Sequence, residues 1–174
     1  MSVEYMLGFG VGILFVGCVV LLLSLWLKKK KPEPCRYDER QQAARGKAFE
    51  SGFFTMLIYN VICAVIAAGF GTLFMDTTTM MFVGVFLGLT VFCCKCIWED
   101  AYMALNERPR SVYCVLGIIG AVNLVIGFMN LAHGDMIENG QLNIRSTNFL
   151  CGIMMLIVLV VFMIKQKKNA ADAE

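Results

Sequence analysis

Charge is missing from most of this sequence. Of the 15 basic and 13 acidic residues among 174, only Lys95 falls inside the five long apolar blocks at 6–27, 52–75, 80–98, 112–132 and 149–164. Histidine is reduced to His133. No polar stretch between the blocks is long enough to fold by itself, which excludes a separate soluble catalytic or nucleic-acid-binding module. There is no His-Glu-x-x-His helix, no phosphate loop and no serine nucleophile elbow. Gly8-Phe-Gly-Val-Gly lies within an apolar span with no strand before it. The sequence therefore reads as non-enzymatic, with no cofactor and no metal expected.

What is present is apolar, at 59% of the chain. Each block approaches the ~20 residues that a helix needs to cross ~30 Å of hydrocarbon. The expected fold class is all-α: a single membrane domain over 1–174, built as a bundle of five transmembrane helices. The shortest block, 149–164, needs Thr147, Asn148 and a snorkelling Lys165 to complete its span. Block one has no basic region before it and no small-residue cleavage site after it, and it ends in Lys28 to Lys31. It reads as a retained anchor and not as a signal peptide.

Basic residues set the orientation, because Lys and Arg beside a span stay on the cytoplasmic side. Those between blocks one and two, between three and four and after five, together with Lys95, all belong to one face, and Arg145 alone is left for the other. Five crossings then put Met1 outside and Glu174 inside. The net charge of +2 thus marks topology and attraction to anionic lipid headgroups, and it gives no support for nucleic-acid binding.

Between blocks two and three lie only Asp76, Thr77, Thr78 and Thr79, so these two blocks form an antiparallel hairpin. Before block two, Pro32 and Pro34 divide the loop, and a cytoplasmic juxtamembrane helix is expected over about 37–51. After block three, Asp100-Ala-Tyr-Met-Ala-Leu-Asn106 has helical composition, so the helix is expected to run about two turns past Trp98. Pro109 sits where the next helix can begin. The segment from His133 to Thr147, with Gly134 and Gly140, suits an exposed outer connection.

Cys35-Arg-Tyr-Asp-Glu-Arg-Gln-Gln-Ala-Ala-Arg-Gly-Lys-Ala-Phe49, then Gly52-Phe-Phe-Thr-Met-Leu-Ile-Tyr-Asn60 and Trp98-Glu-Asp-Ala-Tyr-Met-Ala-Leu-Asn-Glu107, resemble a group of uncharacterised small multi-pass membrane proteins of Gram-positive bacteria. The resemblance covers the middle of the chain. It implies a bacterial plasma membrane and supplies no activity.

Three sets of residues invite a functional reading. Cys93, Cys94 and Cys96 form the densest part of the eight cysteines, but at about 100° per residue they project around a helix and do not converge on one ion. Cys114 offers one further ligand at most, and His133 belongs to the opposite face. They read as small apolar side chains. Asn60 and Asn123 lie toward the middle of blocks two and four, and a bond between them would hold two packed helices in register for ~1 kcal/mol. Small residues, among them Gly84 and Gly88 in block three and Gly117 and Ala121 in block four, provide surfaces for close helix approach, within the chain or in a homo-oligomer. Finally, Arg45, Lys47 and Glu50 at the foot of block two are expected to meet Lys95, Glu99 and Asp100 at the foot of block three. That inner face reads either as a helix anchor or as a docking surface for a membrane or cytoplasmic protein. The expected role is a small non-catalytic subunit or accessory protein embedded in the lipid bilayer, with an oligomeric channel or transporter as the alternative.

Overall fold

Helix starts in this chain are written by aspartate and proline, and they locate the elements before any packing is considered. The computed structural model describes Cys18 and residues 36–71, 74–105 and 109–171. Residues 36–174 form one unit, distinct from 1–35. Apart from Cys18, the first predicted span, 6–27, lies outside the described residues, as does Cys35.

Helix α1 is Glu39–Phe70, 32 residues long. Asp38 caps it, accepting from the Gln41 backbone N–H at 2.6 Å while the Gln41 side-chain oxygen accepts from the Asp38 N–H at 3.3 Å. This reciprocal capping box satisfies two otherwise orphaned donors. The expected juxtamembrane helix and the second apolar block are thus one continuous rod of about 48 Å. It stops at Phe70 and not at Met75, because Gly71 takes the left-handed conformation (φ 73°) and returns its N–H to the Ala67 carbonyl. Helix α2, Thr77–Trp98, begins at the Asp76 cap. Helix α3, Pro109–Ala132, begins at the expected proline. Helix α4, Thr147–Ala171, has 25 residues, so its span extends well beyond the 16-residue apolar block.

Among the described residues four helices are long and apolar enough to cross a membrane. They lie in a row, α1 beside α2, α2 beside α4 and α4 beside α3. Missing side chains make the seams. A Cβ on Gly52 would stand 2.6 Å from the Gly88 carbonyl oxygen, and one on Gly88 would stand 2.9 Å from the Gly52 oxygen. Between α3 and α4, a Cβ on Gly127 would fall 2.7 Å from the Phe149 Cα. Gly117, in contrast, faces open space. At one end of the bundle Ile97, Leu116, Val158 and Phe162 form the buried apolar cluster. Tyr113 packs edge-on against Phe162 at 4.7 Å there.

The connection between α3 and α4 is more ordered than an exposed loop requires. Ile137–Glu138 and Gln141–Leu142 pair antiparallel as strands β1 and β2 around Asn139 and Gly140, both with positive φ (53° and 78°). That is the backbone a two-residue Asn-Gly hairpin turn demands. Leu142 also pairs with the α1–α2 connection, donating to the Phe74 carbonyl at 2.9 Å and accepting from the Asp76 N–H at 2.8 Å. A 3-10 turn, Ile144–Ser146, then leads into α4.

Candidate functional site

The end of the bundle away from that hairpin, here called the foot, gathers the start of α1, the ends of α2 and α4, the apolar cluster around Phe162 and the segment after Trp98. That segment does not continue the α2 helix for two turns, as its composition predicts. Glu99 caps the helix and Asp100 turns left-handed at φ 54°. The Asp100 N–H returns to the Ile97 carbonyl at 3.2 Å and the Ala101 N–H to the Cys96 carbonyl at 2.7 Å. This pair of bonds is the Schellman stop, with aspartate in place of the usual glycine. Its apolar partners, Cys96 and Ala101, are both fully buried.

Turning inward strands backbone carbonyls, and polar side chains from α1 reach them. The Gln41 side-chain N–H donates to the Asp100 carbonyl at 2.8 Å and to the Met103 carbonyl at 3.3 Å. The Arg45 guanidinium donates to the Ala101 carbonyl at 3.1 Å while its face covers the Tyr37 ring at 4.5 Å. The Leu105 N–H completes the tie by donating to the Arg36 carbonyl. From α4, Lys165 Nζ pairs with Asp100 Oδ2 at 2.9 Å and the Asn169 amide donates to Asp100 Oδ1 at 3.0 Å. Partial burial pushes the Asp100 carboxyl upward, but the bonds from Lys165 and Asn169 and the charges of Lys165 and Arg40 outweigh it and hold the group below its ordinary value.

The six charges expected at the foot are all there, in different company. Arg45 joins the Ala101 backbone and forms no ion pair with Glu99 or Asp100, because the inward turn offers it a buried carbonyl. Asp100 belongs to α4 through Lys165. Lys95 Nζ donates to the Ser51 hydroxyl at 2.6 Å. Lys47, Glu50 and Glu99 are exposed, and among the described residues their side chains have no ion pair. Composition pointed to none of Gln41, Tyr37, Lys165 or Asn169 as a site residue. Asp-x-x-Gln before an apolar run was a legible cap signal for Gln41, whereas only the three-dimensional position of α4 brings in Lys165 and Asn169.

The two amides do not meet. Asn60 donates to the Met56 carbonyl at 2.8 Å and Asn123 to the Ile119 carbonyl at 2.9 Å, each within its own helix. They sit on α1 and α3, the two flanks of the row, with α2 and α4 between them. Asn60 lies instead beside Gly84 of α2. Cys96 is buried, whereas Cys93 and Cys94 are half-buried on other faces of α2.

A cavity of about 660 Å³ opens at the foot in the groove over α2 between α1 and α4. Its α1 wall is made of small residues, Ala43, Ala44 and Ala48, and its rim carries Arg40, Lys47, Lys95 and Glu99. Trp98 stands at its edge with the ammonium groups of Lys165 and Lys168 5.9 and 5.5 Å from the ring centre. Comparison with family models, with curated proteins and with solved structures finds no match.

Proposed function

We propose that this protein is a non-catalytic multi-pass membrane protein, a small subunit or accessory protein of a membrane complex that docks a protein partner through its foot. The observation that carries this reading is how thoroughly the foot is built. A topological signal requires only solvated positive charge, yet Gln41, Arg45, Lys165 and Asn169 all hold the turn over 99–105. Lys47, Glu50 and Glu99 are left on its surface for a partner. Charge complementarity at such a rim acts mainly on recognition and association rate.

In this reading block one is a fifth span, Met1 lies outside, the foot is cytoplasmic, and the membrane is the plasma membrane of a bacterium, as the resemblance of 35–107 implies. Mild-detergent purification of tagged protein tests the docking role. Reversing Lys47 and Glu50 together, Lys47→Glu with Glu50→Lys, is expected to remove the co-purifying partner at unchanged abundance. Retention of every partner refutes the reading. Solute or ion flux through liposomes holding the protein alone would establish the alternative, an oligomeric channel or transporter. For orientation, a membrane-impermeant thiol reagent on intact cells is expected to label Asn139→Cys and to miss Cys35 in a variant otherwise lacking cysteine. Labelling of Cys35 would reverse the topology.

A further inference from the structure

We infer that the foot cavity is a binding site for one anionic phospholipid, with the head-group phosphate at Arg40, Lys47 and Lys95 and an acyl chain against the alanine wall. The inference rests on the reading of the four helices as membrane spans; it shares Lys47 with the proposed docking surface, and Ala44→Leu, which touches no charge, tells the two apart.

The first argument is the two-part chemistry of the cavity. Ala44, Ala48 and Val161 give it an apolar interior, whereas its rim carries three basic groups against one acid, Glu99. Lys95 engages only the neutral Ser51 hydroxyl, so its charge is not offset there. Among the described residues no carboxylate lies within ion-pair distance of Arg40, Lys47 or Lys95. Asp100, also at this end, is held by Lys165 and Asn169. An apolar slot with a cationic rim fits an amphiphile that is negative at one end.

Position and size supply the second argument. The cavity lies where apolar helix gives way to charged foot, the depth at which a phospholipid changes from acyl chain to phosphate. Half-exposed Trp98 at its edge is the residue type that favours this boundary. Basic pockets between helices at a membrane surface are a recurring means of holding anionic head groups. The room exists because positions 43, 44 and 48 are alanine, so the site depends on small side chains as much as on charge.

Trp98 also provides the test, since Trp26→Phe leaves it as the sole tryptophan. The variant is reconstituted in phosphatidylcholine bilayers containing either brominated phosphatidylglycerol or brominated phosphatidylcholine at equal mole fraction, and quenching of Trp98 gives the relative affinity. The site predicts a preference for phosphatidylglycerol on the order of tenfold. Arg40→Gln with Lys47→Gln is expected to bring the ratio to about one. Ala44→Leu keeps every charge and fills the cavity, and it is expected to abolish the preference as well. Helical content and monodisperse elution check that both variants fold, and either one, folded, is sufficient. Equal quenching in the parent variant overturns the inference. So does a preference that survives Ala44→Leu, because general attraction of a basic surface would then explain it. Complete displacement by soluble glycerol phosphate would show a site for a free phosphate and not for a lipid.

Discussion

The two ends of this bundle solve the same problem by different chemistry. Each must tie together chain segments far apart in sequence where the helices stop. At the foot, side chains do it: Gln41 and Arg45 reach across to the carbonyls of Asp100, Ala101 and Met103, and Lys165 and Asn169 hold the Asp100 carboxylate. At the other end the backbone makes the long-range tie, with Leu142 pairing to Phe74 and Asp76 and a hairpin closing over Asn139 and Gly140, while the side-chain bonds there, Arg145 to Asp135 and Asn130 to the Arg145 carbonyl, stay local in sequence. Backbone pairing tolerates most substitutions, because every residue but proline carries the same groups. A side-chain clamp depends on identity and charge. The foot is therefore the end whose long-range ties depend most on side-chain identity and charge, and also the end that carries the 660 Å³ cavity.

The largest expected effect comes from driving the helices apart at one end or the other. Gly52→Leu collides with the Gly88 carbonyl near the foot, and Gly127→Leu collides with Phe149 at the opposite end. Each is expected to destabilise the protein by about 3 kcal/mol or more. Thermal unfolding in detergent measures the loss. Thiol labelling of Cys96 should rise selectively for Gly52→Leu if the two ends respond independently, and equal labelling in both variants would break the contrast.

Arg45→Ala comes next. It leaves the Ala101 carbonyl without its donor, a loss of about 1–3 kcal/mol for a buried group. Faster labelling of Cys96 is expected with no change at an introduced Asn139→Cys, whereas unchanged labelling of Cys96 would show that the clamp is not needed. Gly140→Ala forces a Cβ into the left-handed conformation and is expected to destabilise the β1–β2 hairpin by about 1 kcal/mol. Amide exchange should quicken over 137–142 and stay unchanged over 99–105.

The smallest effect is the most diagnostic. Asp100→Asn keeps a residue that tolerates positive φ and removes only the charge, so a loss under ~1 kcal/mol is expected. The Asp100 carboxyl titrates lower in the folded protein than in the unfolded chain. Its charge therefore contributes above the ordinary carboxylate range, about pH 4, and that contribution disappears as pH falls through the lower folded value. The stability difference between the wild type and Asp100→Asn should shrink on acidification, and a constant difference would show that charge plays no part.

Long-range order among the helices is where sequence reasoning ran out. Apolar blocks located all four described spans, and the short link after Met75 made α1 and α2 neighbours. The start of α3 at Pro109 was also legible. The order of the row was not, so Asn60 and Asn123 were expected to meet although two helices separate them. Nor was the stop after Trp98, since alanine, methionine and leucine all favour helix. Their burial is tertiary: Ala101 and Ala104 are small enough to turn under α1, and Gln41 and Arg45 compensate the carbonyls that turning exposes. Asn139-Gly140 carried a hairpin signal that glycine content alone understated. Lys47 and Glu50, expected to meet the charges of α2, stand exposed instead, with no ion pair among the described residues.

The unbroken α1 rod also has a mechanical consequence. A 48 Å helix pivoting about its middle moves each end by about 4 Å for a tilt of ten degrees. At Arg45, about 14 Å from the middle, the shift is about 2.5 Å, enough to break the 3.1 Å bond to the Ala101 carbonyl. The clamp thus ties the tilt of α1 to that of α2, so the two helices meet a change in bilayer thickness as a pair unless the foot unlatches.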